Sequence, residues 1–211
     1  MDAKYDVNAI ESVVANLRRR KFDAYYCATS DEARELALSL IPAGDTVAWG
    51  GSMTAEKIGL IAAAVRERTD ITLIDRDKAS SPQEKRELMR RGLLADSFIA
   101  GVNGISRDGW LVNIDGTGNR VAAITFGPEN VILVAGVNKI ENDVTAAVTR
   151  ARNVAAPLNV ARLDLPNPCK KAGKCMDCLA DTTICSHFVL HRYCKPTGRI
   201  KVILVGEELG F

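Results

Sequence analysis

The chain has 211 residues, 47% of them apolar and 26% charged, the proportions of a soluble globular protein and not of a disordered or fibrous one. A chain of this length buries roughly 70% of its unfolded surface without help from disulfides, so one full domain is expected. Lys and Arg number 28 against 26 Asp and Glu, a net charge of +2, and aromatics are 5%; this balance argues against nucleic acid or an anionic membrane as partner and against a base-stacking surface.

The start, Met1-Asp2-Ala3-Lys4-Tyr5-Asp6, lacks the basic start and apolar stretch of a secretion signal, and no run of 18 or more apolar residues follows. A cytoplasmic protein without a spanning helix is expected. Ile10, Val13, Val14 and Leu17 recur at helical spacing, as do Ala33, Leu36, Ala37 and Leu40, with Ser30 or Asp31 as the cap of that second helix. Ile58, Ile61, Ala62 and Val65 form a third such face, and Val144, Val148, Ala151 and Ala155 a fourth. Between them lie strand-like runs at Ala24–Ala28, Thr46–Trp49, Ile71–Ile74, Ser97–Val102, Leu111–Ile114, Val121–Thr125, Val131–Ala135 and Ile200–Val205. Several, such as Val131-Ile132-Leu133-Val134, are apolar on both faces, as inner strands of a parallel sheet covered by helices are. The alternation predicts an α/β fold with a largely parallel sheet. Asp115-Gly116 between two strand-like runs predicts one antiparallel hairpin.

Three polar loops fall where strands end. Gly50-Gly51-Ser52-Met53-Thr54 joins a strand to a helix; its glycines admit close backbone approach, and the helix start offers free N–H groups to an anion. A plain capped turn explains the same residues. Asn113, Asp115, Gly116, Gly118, Asn119 and Arg120 crowd a second loop with more polar groups than a turn requires, either aimed at a ligand or bonded to their own backbone. The third is Gly136-Val137-Asn138-Lys139, where a helix is expected to start; Asn138 reads as a possible cap and Lys139, by default, as a solvated charge. Ligands of open α/β sheets bind beyond the carboxyl ends of the strands, where such loops meet. Glu56, Asp115, Glu207 and Glu208 are the carboxylates near them, and no catalytic residue stands out.

The stretch from Pro157 to Pro196 changes texture: it holds five of the six cysteines and four of the seven prolines. An irregular excursion from the main sheet is expected there. Cys169, Cys175, Cys178 and Cys185 are spaced C-x5-C-x2-C-x6-C. Four thiolates in a reducing compartment suit an iron–sulfur cluster, 4Fe–4S in type, with structural zinc or free thiols as the alternatives. His187, His191 and Cys194 are extra candidates, the two His read as exposed imidazoles sharing one helical face, and Cys27 as a small buried apolar residue.

The strings Gly50-Gly51-Ser52-Met53-Thr54, Asn113 to Ala123 and Gly136-Val137-Asn138-Lys139-Ile140 are followed by Ala155-Ala156-Pro157, Pro168-Cys169, Gly173-Lys174-Cys175, Asp177-Cys178, Ile184-Cys185 and Gly206 to Phe211. In this order they resemble the lactate-utilisation (LUD) domain family in its short cysteine-containing form, over about Ala9 to Phe211. The resemblance implies a fold similar to that of ribose-phosphate isomerases, glucosamine-phosphate deaminases and CoA transferases. It implies a place in bacterial oxidation of L-lactate to pyruvate beside iron–sulfur or ferredoxin-like subunits. The family's cysteine motif maps onto Cys169, Cys175, Cys178 and Cys185. After Thr54 the chain departs from the family's more apolar run, which removes support for a catalytic Glu56.

The first expectation is therefore a redox-linked accessory or subunit in oxidation of lactate or a related hydroxy acid, binding a small anionic metabolite on the loops and a metal on the cysteines. The alternative is a phosphosugar- or CoA-dependent enzyme in which Ser52, Thr54, Asn119, Arg120 and Lys139 hold phosphate or carboxylate. A third reading is a non-catalytic subunit with a structural metal.

Overall fold

A computed structural model describes residues 6–211. The leaderless reading of Met1–Asp6 concerns residues that, Asp6 apart, lie outside it. Six parallel strands form the central sheet: β1 (Asp23–Cys27), β2 (Thr46–Trp49), β3 (Thr72–Ile74), β4 (Ser97–Gly101), β7 (Asn130–Gly136) and β10 (Ile200–Val205), in the order β1-β10-β7-β4-β2-β3. The residues of β7 and β10 alternate between two cores. Val131, Leu133, Val202 and Leu204 face one; Ile132, Val134, Ile203 and Val205 face the other. Burial on both faces is why these strands are continuous apolar runs and not alternating ones.

Helix α1 (Val7–Arg19) covers the first face through Ile10, Val13, Val14 and Leu17, all buried. Helix α2 (Ser30–Ser39) covers the second through Ala33 and Ala37, joined there by α3 (Met53–Lys57) and α4 (Leu60–Glu67). The cap of α2 is Thr29, whose side chain accepts from Glu32 N, and not Ser30 or Asp31. The third predicted face is displaced as well. Gly59 adopts φ +68° and breaks the helix there, so α4 buries Leu60, Ala63 and Ala64 and exposes Val65. Helix α5 (Pro82–Arg91), capped by Ser81, buries no residue. Among the described residues no helix is long and apolar enough to cross a membrane.

A second sheet sits beside the first: β5 (Gly104–Ser106), β6 (Leu111–Asp115), β8 (Ile140–Glu141) and β9 (His187–His191), in the order β8-β5-β6-β9. The predicted hairpin is absent. Val121–Thr125 belongs to helix α6 (Asn119–Thr125), which buries Val121, Ala123 and Ile124. Two devices impose the helix on a β-branched run. Gly118, at φ +84°, turns the chain into it. At the far end the buried Arg199 guanidinium donates to the carbonyls of Ala123, Ile124 and Pro128 at 2.8, 2.7 and 2.9 Å, satisfying free acceptors of the last turn. The antiparallel partners of β6 are β5 and β9 instead.

The helix expected to start at the third loop, residues 136–139, starts elsewhere. Val137–Lys139 is a 3-10 turn leading into β8, and the helix begins later, at α7 (Val144–Arg150), capped by Asp143. A π-helical turn, Ala151–Ala155, joins α7 to α8 (Ala156–Arg162). Pro157 brings no N–H to the regular ladder at that junction, a reason for the wider turn. Residues 157–196 are not irregular throughout: they begin in α8, include the short α9 (Cys169–Ala172), and attach through β9 to the second sheet, not the central one.

Candidate functional site

The strand order reverses direction beside β2. From β2 the chain runs outward to β3, then returns to β4 on the other side. Such a switch point leaves a crevice beyond the carboxyl ends. A cavity of about 310 Å³ occupies it, lined by parts of all three polar loops: Gly51 and Ser52; Asp115, Gly116, Asn119 and Arg120; and Lys139. The volume is at the lower end of small-molecule sites.

Arg120 ties the loops together. Nη1 donates to Gly101 O at 2.9 Å and Asn113 Oδ1 at 2.6 Å. Nη2 donates to Asn103 Oδ1 at 3.0 Å and Ile114 O at 2.7 Å, and Nε pairs with Asp115 Oδ2 at 3.4 Å. The four Nη N–H groups are thereby hydrogen-bonded, and the Nε side faces the Asp115 carboxylate. Its burial lowers the pKa, which the Asp115 charge opposes. Gly50 makes this strut possible: a Cβ there would stand 2.9 Å from Arg120 Cγ and Cδ. Asp115 also accepts from Gly118 N at 2.8 Å. Asn113 is fully buried and its Nδ2 has no partner.

Ser52 caps α3, accepting from Ala55 N at 3.2 Å. Asn138 caps no helix; its Oδ1 accepts from Leu209 N and its Nδ2 donates to Gly210 O, holding the 207–211 segment against the loops. Lys139 departs most from expectation. It is 4% exposed, and its Nζ donates to Thr54 Oγ1 at 3.0 Å. Burial, then the charges of Arg150, Arg120 and Lys57, brings its pKa down to about 7. The carboxyl edge closes over a side chain that no local pattern marks as interior.

Arg76, Asn103, Asn159 and Arg162 also line the cavity and were missed in the sequence. Arg76 is the notable omission. Its buried Nε has no hydrogen-bond partner, and its ion pair with Asp77 spans 3.9 Å. It follows β3 directly, so the carboxyl-edge rule applied to β3 and β4 as well would have found Arg76 and Asn103. Of the four carboxylates considered, only Asp115 lines the cavity. Glu56 is exposed on α3, and Glu207 binds Ser30 through N and Oγ at 2.6 and 2.8 Å.

The cysteine segment packs against the second loop. Ile184 lines the cavity, and the His187 ring lies 3.2 Å from where a Cβ on Gly118 would stand. His187 and His191 belong to strand β9, not a helix. His187 is exposed, whereas His191 is half-buried, with Nε2 3.0 Å from Thr125 Oγ1. Burial, then Arg199 and Arg120, lowers the His191 pKa to about 4. Cys27 is buried in β1 as expected.

All six cysteines are unpaired. Cys169, Cys175, Cys178 and Cys185 share one neighbourhood: burial, then the Cys175, Cys169 and Cys178 thiols, pushes Cys185 up to about 11. Arg152 Nη2 donates to Cys175 Sγ at 3.5 Å, and the Asp177 N–H reaches the same sulfur at 3.4 Å. These soft donors with N–H groups around them suit a thiophilic metal. Among the described residues no three His, Cys, Asp or Glu side chains are grouped so as to hold a metal ion.

Comparison with solved structures gives a DUF162 family protein from Deinococcus radiodurans at 14% identity and TM-score 0.51, covering 94% of this chain and 96% of that one. Matches to eIF2B beta and eIF2B delta from Chaetomium thermophilum are partial. They have 19% and 21% identity, TM-scores of 0.37 and 0.32, 65% and 52% of this chain covered, and 48% and 47% of theirs. A search of curated proteins gave no significant match. The model of the LUD domain matches residues 10–205. The chain therefore belongs to the LUD domain family, the lactate-utilisation family that its loops and cysteine spacing resemble.

Proposed function

We propose that the cavity binds a small carboxylate-bearing metabolite of the hydroxy-acid and oxo-acid class, and that the four cysteines hold an iron–sulfur cluster beside it. The chain then serves as a redox-linked accessory or subunit in oxidation of lactate or a related hydroxy acid, within a reducing cytoplasm and beside ferredoxin-like partners. The observation that carries this reading is adjacency. Ile184, next to Cys185, lines the cavity, and the π-helical turn behind Ala155 carries Arg152 and Asn153 to Cys175. Arg76 supplies a cation for a carboxylate, since its Nε makes no hydrogen bond and its ion pair with Asp77 is long at 3.9 Å. The cavity accommodates an acid of a few carbons, but of a CoA thioester only the acyl end.

Cys169, Cys175, Cys178 and Cys185 would hold the cluster, which supplies one-electron chemistry when bound. Protein purified without oxygen is expected to be brown, with visible absorbance and about four irons per chain. Colourless protein with stoichiometric zinc removes the cluster and favours a structural metal. A thermal-shift panel of hydroxy acids, oxo acids, sugar phosphates and CoA esters tests the cavity, because a ligand raises stability by mass action. Stabilisation by sugar phosphates alone would transfer the site to a phosphosugar enzyme.

A further inference from the structure

We propose that Lys139 is a nucleophilic amine that captures a small 2-oxo acid in the cavity as an imine. The inference rests on the reading of the cavity as an acid-binding site and adds a covalent step to it. Lys139 ends the 3-10 turn after β7, is 4% exposed, and lines the cavity. Thr54 Oγ1 donates to Leu209 O at 3.3 Å, so it receives its hydrogen bond from Lys139 Nζ. That bond uses one N–H of the lysine and leaves its lone pair unspent.

A buried ammonium ordinarily has a carboxylate beside it. Among the described residues none lies within ion-pair distance of Lys139. Its charged neighbours are Arg150, Arg120 and Lys57, all cations. A lysine desolvated beside other cations has a large free-amine fraction from neutral pH upward, the form that attacks carbonyl carbon. A purely structural lysine bonding Thr54 would gain from a nearby carboxylate and would not need to face a cavity. Arg76, which lines the same cavity, is the cation for the acid's carboxylate.

The step balances without an oxidant. The Nζ lone pair bonds to C2 of the oxo acid, the carbonyl π pair moves to oxygen, and one hydrogen of the nitrogen passes to that oxygen. The nitrogen lone pair of the carbinolamine then expels hydroxide as the C–O bond breaks, the nitrogen's second hydrogen leaves as a proton, and hydroxide and proton depart as water. Amine and 2-oxo acid become imine and water.

The test is borohydride trapping with pyruvate, read by intact mass and peptide mapping. One reduced pyruvyl adduct is expected, on the peptide carrying Lys139, with labelling rising as pH passes through neutrality. Lactate, which has no carbonyl, gives none. Lys139→Met loses the adduct, and Arg76→Gln raises the pyruvate needed for half-labelling by about tenfold. The mapped wild-type adduct decides the matter even if Lys139→Met fails to fold. Stabilisation by pyruvate with no adduct overturns the imine and leaves the acid site standing. Labelling spread evenly over many lysines also overturns it. Failure of every acid to shift the melting curve removes the acid site itself, and the imine with it.

Discussion

At the carboxyl edge of the central sheet, Arg120 commits four N–H groups to fixed acceptors at 2.6–3.0 Å and pairs with Asp115 at 3.4 Å. In the cysteine segment nearby, the sulfurs receive N–H groups only at 3.4–4.0 Å, and Met176 and Leu179 are 49% and 99% exposed. The first region is organised by its own polar groups before any ligand arrives. The second has donors of one chemical kind grouped together and little that fixes them. A site of the first kind loses its shape when one strut is cut; a site of the second kind depends on what binds it.

Cutting the strut should have the largest effect. Arg120→Met strands the Asp115 carboxylate and Asn113 Oδ1, and is expected to cost about 3–5 kcal/mol in urea unfolding. A loss below about 1 kcal/mol would mean that the loops hold their shape without it. Gly50→Ala follows, at about 1–3 kcal/mol, because its new Cβ meets an arginine that four hydrogen bonds and an ion pair hold in place.

Lys139 gives a pH signature. Its folded pKa, about 7, lies below its ordinary value of 10.5. Between the two, the unfolded chain binds a proton that the folded chain does not, so stability rises with pH across that window, by at most about 1.4 kcal/mol per unit. Below about pH 7 the penalty of the buried charge is present in full. Urea unfolding from pH 7 to 9 should show this rise in wild type and a flatter line in Lys139→Met. Equal slopes would remove Lys139 as its source.

In metal-free protein the cysteine segment should respond least. Cys175→Ser and Cys178→Ser, both partly exposed, are expected to change stability by no more than about 0.5 kcal/mol while abolishing metal uptake, read by metal analysis. A large loss in the metal-free state would show that the thiols pack as core. Gly51→Ala separates shape from binding. Its Cβ would reach only the end of the Arg76 side chain, at 3.3 Å, so anion affinity should fall with the melting temperature little changed.

The helix faces of α1 and α2 and the inner strands were legible because burial writes a period of 3.6 or a continuous apolar run into any chain. The positions of the three polar loops were legible too, since glycine and polar residues punctuate strand ends. Local pattern misled where a distant residue settled the matter. Val121–Thr125 reads as strand, yet Gly118 turns it and Arg199, far along the chain, caps it as helix. Lys139 reads as solvent-exposed for the same reason: what covers it, including the segment around Leu209 and Gly210, arrives from elsewhere.

By itself, then, the order of residues determined the α/β class, the strand ends that carry polar loops, and the supply of four thiols. Only the tertiary structure decided that Arg120 is a strut, that Arg76 lines the cavity with an Nε that makes no hydrogen bond, that Lys139 is buried among positive charges, and that the cysteine segment lies against the cavity. Periodicity records whether a side chain faces the interior. It carries no record of which distant groups meet it there, and hydrogen-bond partners and pKa depend on those groups.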